Sequence, residues 1–145
     1  MLFTTRIILL LGIFFLNASL SVTPETYIGK WRIQGGSIIE IYEQHNTFYG
    51  KILKRAEHPI SNLNGLDNKN PSKELRSRKL VGIDILNDLN YDEDGYLSGG
   101  TIYNADSGKT YTVKVWIDND DLNLCYIRAY KGILFKTFEA IRVKE

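Results

Sequence analysis

The sequence predicts an all-β domain: an up-and-down antiparallel meander of about eight strands that closes into a barrel. Three observations carry that expectation. Apolar and polar residues alternate with period two in nearly every patterned segment, as they do in a sheet with one covered and one wet face. Turn-forming Gly, Asn and Asp punctuate those segments. No long segment after the N-terminus has the apolar period of a helix, and a meander of this length loses its exposed edges most simply by closing on itself. A hydrophobic share of 43% over 145 residues suits one globular domain, and nine Tyr favour strands and amphipathic surfaces.

Taken in order, residues 1–21 read as a secretory signal peptide and residues 22–145 as a single domain. Residues 1–6 carry one positive charge, and residues 7–16 are apolar apart from Gly12. The small residues of the stretch 17–21 allow cleavage after Ser19 or Ser21. An apolar core of about ten residues falls short of the roughly twenty in a spanning helix. The expectation is therefore export, periplasmic or secreted, with no membrane span after cleavage. Losing Arg6 leaves equal numbers of basic and acidic residues, which argues against nucleic acid as a partner. Cys125 is the only cysteine, so no internal disulfide forms, and its place in a strand reads as a packed small hydrophobe.

The expected strands follow. Residues 27–33 form the first, ended by Gly35-Gly36, and residues 37–43 the second. His45-Asn46 turns the chain into the third, 47–54. Residues 56–78 are polar and hold Pro59, Gly65 and Pro71. They read as a long exposed loop with a helical turn near residues 72–75, an element that suits a protein partner or a lid. The fourth strand is expected at 80–86, with a turn at 91–95. The fifth and sixth, 97–103 and 109–116, form a hairpin in which Tyr111, Val113 and Val115 share a face opposite Thr110, Thr112 and Lys114. The seventh and eighth are expected at 122–130 and 135–143.

A resemblance adds to this reading. Gly29-Lys30-Trp31 near the first strand with Arg142 near the last resembles the lipocalin pattern, in which the Trp packs on a terminal Arg at the closed end of the barrel. Ile39-Glu40-Ile41-Tyr42, Tyr49-Gly50-Lys51-Ile52, Arg78-Lys79-Leu80-Val81-Gly82, Gly99-Gly100-Thr101-Ile102-Tyr103, Gly108-Lys109-Thr110-Tyr111 and Arg128-Ala129-Tyr130 are similar, in that order, to the exported bacterial family called domain of unknown function 2147. The resemblance implies a lipocalin-like barrel outside the cytoplasm. This chain departs from the family pattern in lacking a Cys pair before Arg78 and in having Ala140 where a Trp is usual.

An eight-stranded barrel either fills with its own side chains or holds one small ligand. On the second reading Trp31, Ile39, Ile41, Phe48, Ile52, Tyr111, Val113, Val115, Leu124 and Tyr126 line the site. The ligand is then a small hydrophobic or amphipathic molecule, fatty-acid-like if carboxylate-bearing. Arg128 and Tyr130, two apart on the face of Leu124 and Tyr126, are candidates to hold a ligand carboxylate. The alternative for Arg128 is a protein carboxylate or an aromatic ring as partner. On the first reading the protein is an interaction module with a filled barrel. The acidic turns 92–95 and 118–121 lack the full spacing of a Ca²⁺ loop, and no catalytic motif or cofactor fingerprint occurs. The expectation is a binding protein with no catalytic residues, metal or cofactor.

Overall fold

Strand β8 (Leu134–Arg142) returns to pair with β1 (Gly29–Ile33), Arg142 opposite Trp31, and so closes the sheet into a barrel. The computed structural model describes residues 21–57 and 64–144. Between the closing strands run β2 (Ile38–Gln44), β3 (Thr47–Lys54), β4 (Asp84–Tyr91), β5 (Leu97–Asn104), β6 (Lys109–Ile117) and β7 (Leu124–Lys131). Each is antiparallel to the next in chain order, so the barrel is up-and-down throughout. The expected signal peptide lies, but for Ser21, outside the described residues.

Most strands alternate as their sequences require. Ile39 and Ile41 on β2, Phe48 on β3 and Val113, Val115 and Ile117 on β6 are buried inside. His45 and Asn46 both adopt positive φ, 53° and 61°, the left-handed pair that a two-residue hairpin needs. Two strands break the alternation. On β4 Asp88 has φ 56°, and Leu86 and Leu89, three apart, both point inward. On β5 Gly99 has φ 79°, and Leu97 and Gly100 both face in. A Cβ on Gly100 would collide with the Asn87 carbonyl, so β5 can approach β4 this closely only with glycine there.

These irregularities correct the expected fourth strand. It begins at Asp84, not residue 80, and continues to Tyr91. Gly82 at φ 96° interrupts the extended run, and the displaced phase at Asp88 conceals the strand's second half from a period-two reading. The first strand also begins later than expected. Residues Pro24–Tyr27 form a short helix, α1, with Pro at its start.

One end of the barrel is shut by this N-terminal segment. Tyr27 and Trp31 are fully buried, the Tyr27 hydroxyl donates to the Gly95 carbonyl (2.7 Å), and Trp31 Nε1 donates to the Tyr27 carbonyl (2.8 Å). The Arg142 guanidinium lies 4.2 Å from the Trp31 ring centroid and donates to the carbonyls of Thr26, Ile28 and Leu122. Cys125 and Ala140, paired across β7–β8 and fully buried, are small, which leaves interior volume for the two large rings.

Truncating Trp31 to Ala should cost roughly 3–5 kcal/mol in urea unfolding, the range for a large buried aromatic. Ile141→Ala, on the outer face at 60% exposure, should stay within about 0.5 kcal/mol.

Candidate functional site

The opposite end of the barrel is hollow. A cavity of about 740 Å³ opens there, among the β1–β2, β5–β6 and β7–β8 turns. Its walls are mainly apolar: Ile33, Ile39, Ile52, Ile85, Ile102, Ile127, Ala129 and Phe138, with Leu80 contributed from outside the strands. Its rim is polar, and its charged members are Arg55, Lys131 and Lys136 against Asp106. The interior is thus divided along its length, with packed rings at one end and open volume at the other.

The residues expected to line a site fall into three groups. Ile39, Ile52, Tyr111 and Tyr130 border the cavity. Trp31, Ile41, Phe48, Val113 and Val115 face inward but belong to the packed core below it. Leu124, Tyr126 and Arg128 lie on the outside, and for these the expected face is corrected. On β7 the inward set is Cys125, Ile127 and Ala129, one residue out of phase with the expectation. The physical reason is visible in the partners. Tyr126 stacks on Trp116 of the neighbouring strand with ring centroids 5.3 Å apart. The Arg128 guanidinium sits 4.9 Å from the Trp116 ring and 4.4 Å from Phe135, and its Nε donates to Thr137 Oγ1 at 2.8 Å. Large aromatic groups satisfied by each other on an outer face imitate a core face in sequence. Tyr130 reaches the rim from the strand's end, beside Phe135.

Wall residues that sequence reasoning passed over carry only faint signals. Ile127 and Ala129 alternate correctly but are smaller than their outward neighbours. Ile85 and Ile102 lie on the two bulged strands, where the phase shifts.

Residues 58–63 of the long polar segment lie outside the described residues, and the part from residue 64 on is mostly exposed, as expected, yet folded. Residues 64–83 fold back on themselves through a bridge between Leu66 and Lys79, with a turn of 3-10 helix at Lys73–Leu75 near the expected helical turn. Asp67 anchors them. Its side chain is fully buried and accepts hydrogen bonds from Tyr103 on β5, from Asn70 and from Arg78, whose guanidinium also pairs with it at 2.9 Å. Burial by itself would raise the Asp67 carboxyl, but the three hydrogen-bond donors and the Arg78 charge outweigh it and hold the group below its ordinary 3.8. Burial, and after it the hydrogen bond to this carboxylate, push the Tyr103 hydroxyl up to about 12. At Gly108 the backbone meets the Lys69 carbonyl so closely that no Cβ would fit. The segment thereby packs beside the cavity mouth and delivers Leu80 to its wall.

The remaining polar candidates are occupied by turn geometry. Asp92 accepts from the amides of Asp94 and Tyr96 and from the Ser98 hydroxyl, and Asp118 accepts from the amides of Asp120 and Asp121. Such carboxylates close turns. Burial pushes the Cys125 thiol up to about 12, so it stays protonated and unreactive at neutral pH.

Comparison with known proteins adds two findings. The family profile described as "uncharacterized protein conserved in bacteria (DUF2147)" matches residues 29–139. Among solved structures, protein HP1028 from the human pathogen Helicobacter pylori, described as belonging to the lipocalin family, is similar at a TM-score of 0.70 and 26% identity. That match covers 82% of this chain and 84% of the other. No curated protein matches the chain in sequence.

Replacing Asp67 with Asn should cost ~1.5–3 kcal/mol, the size of lost charge-assisted hydrogen bonds, because Arg78 is partly open to water and keeps its solvation. The 64–83 segment of this variant should also be cut faster by protease. The pH dependence follows from the lowered Asp67 carboxyl. Its stabilising contribution is complete above the ordinary carboxylate range and is lost as pH falls through the depressed folded value. Limited proteolysis should therefore find the segment equally protected at about pH 7 and pH 5, with protection failing only below about pH 4.

Proposed function

The chain belongs to the bacterial DUF2147 family, and from the hollow end of its barrel we propose that it is an exported lipocalin-like protein that carries or sequesters one small hydrophobic or amphipathic molecule. The observation that carries this reading is the cavity itself. About 740 Å³ bounded by Ile, Leu, Ala and Phe falls within the range of small-ligand sites and far exceeds a water-sized void. A barrel filled with its own side chains leaves no such volume, so the cavity favours a carrier over a solid interaction module.

The chemistry of the ligand follows from the distribution of polar groups. The walls are mainly apolar, so the enclosed part of the ligand is apolar. At the rim Lys131, Lys136 and Arg55 outnumber Asp106, which suits a head group carrying negative charge, such as a carboxylate. A fatty-acid-like molecule fits both requirements, with its chain inside and its head among the rim lysines. Arg128 has no part in this, being held outside by Trp116 and Phe135. Binding rather than catalysis is the reading, with the one thiol buried and raised. Export rests on the signal-like residues 1–21.

Filling the cavity should abolish binding. Ala129→Trp and Ile102→Trp should each weaken binding of N-phenyl-1-naphthylamine, an apolar fluorescent probe, by about tenfold or more, while Arg128→Ala changes it by less than about twofold. Folded Trp variants, checked by circular dichroism, that bind like the parent would sink the carrier reading. Native mass spectrometry of protein taken from its own cells should show a lipid-like adduct of one per chain.

A further inference from the structure

The tip of the β7–β8 hairpin is built against the ordinary economy of a soluble protein. Ile133, Leu134 and Phe135 follow one another there and are 97%, 68% and 59% exposed. Gly132, at φ 59°, makes the turn, and among the described residues nothing stands within 4 Å of where its Cβ would be. A run of three exposed large apolar residues is unusual on a free surface and marks a contact with something apolar.

Charge decides what that something is. The mature domain is neutral as a whole, but from Leu122 to Phe138 there is no Asp or Glu, while Arg128, Lys131 and Lys136 all fall within that stretch. Lys131 and Lys136 flank the apolar tip on either strand, and Tyr130 and Phe135 stand beside each other at its base. An apolar point with aromatic residues at its shoulders and a basic collar matches the depth profile of an anionic lipid surface. Apolar groups enter the acyl region, rings occupy the interface and ammonium groups meet phosphate. A protein partner would need a complementary acidic rim around a matching pocket; a bilayer supplies both layers without one.

The tip is also continuous with the cavity. Tyr130, Lys131, Leu134, Phe135 and Lys136 all border the mouth. We propose that the β7–β8 hairpin docks the protein on anionic lipid bilayers, inserting Ile133 and Leu134 and presenting the cavity mouth to the membrane. This goes beyond ligand binding as such, because docking is measured on vesicles with no ligand added. It implies that an apolar ligand passes between bilayer and barrel without crossing bulk water.

The test is co-sedimentation of the mature chain with vesicles of phosphatidylcholine containing about 30% phosphatidylglycerol, against vesicles of phosphatidylcholine alone. The parent protein should partition onto the anionic vesicles, less onto the neutral ones, and come off as salt is raised from about 0.1 to 0.5 M. Ile133→Ser, at a residue outside the cavity wall, should lower partitioning by about fivefold or more, and Ile133→Trp should raise it. Both should keep their uptake of N-phenyl-1-naphthylamine in vesicle-free solution, so that a failure of docking and a failure of the cavity reading are told apart. Absence of the parent from anionic vesicles, or equal partitioning of all three proteins, would overturn the proposal. So would a parent dimer in sedimentation velocity that Ile133→Ser dissolves, since the tip would then be an interface between two copies.

Discussion

The stacking of Arg142 on Trp31 is the contact on which the rest of this barrel depends. It joins the last strand to the first at the seam where the sheet closes, and the same guanidinium gathers the carbonyls of Thr26, Ile28 and Leu122. Those carbonyls come from the N-terminal segment and the β6–β7 turn, so one side chain ties the plug, the seam and a turn together. Burial lowers the Arg142 pKa somewhat, yet an arginine stays charged at any physiological pH and the clamp does not titrate away.

Closing one end so firmly has a consequence for the other. Tyr27 and Trp31 fill the lower interior, and the small residues Cys125 and Ala140 make space for them. In the upper half the wall is made chiefly of Ile, with Ala129, Tyr111 and Phe138, around open volume. The bulges at Asp88 and Gly99 belong to the same economy. Each lets two residues three apart face inward, tightening β4 and β5 around the core at the cost of regular pairing. The barrel is consequently packed below and hollow above.

The mouth is shaped by two elements of opposite character. The 64–83 segment is polar and is pinned by a buried carboxylate, whose burial is tolerated because Tyr103, Asn70 and Arg78 all serve it. The β7–β8 hairpin is apolar and basic, and Ile133 and Leu134 at its tip are exposed. One side of the entrance is held in place, and the other is turned outward.

Period-two alternation, turn residues and the Trp31–Arg142 pair were enough, by themselves, to determine that this chain is an eight-stranded up-and-down barrel. Hairpin turns are local, and His45-Asn46 or Lys131-Gly132 specify theirs with the residues in hand. What the alternation could not determine was which set faces in wherever both sets are partly apolar. On β7 the larger residues, Leu124, Tyr126 and Arg128, lie outside, where Trp116 and Phe135 of adjoining strands receive Tyr126 and Arg128. Only the assembled sheet brings those rings alongside. The same holds for Asp67, an ordinary acid in a polar stretch until Tyr103, 36 positions later, donates to it. Whether an eight-stranded barrel is filled or hollow is a sum of side-chain volumes over all strands. No single segment contains that sum, and so the cavity was decided by the tertiary structure alone.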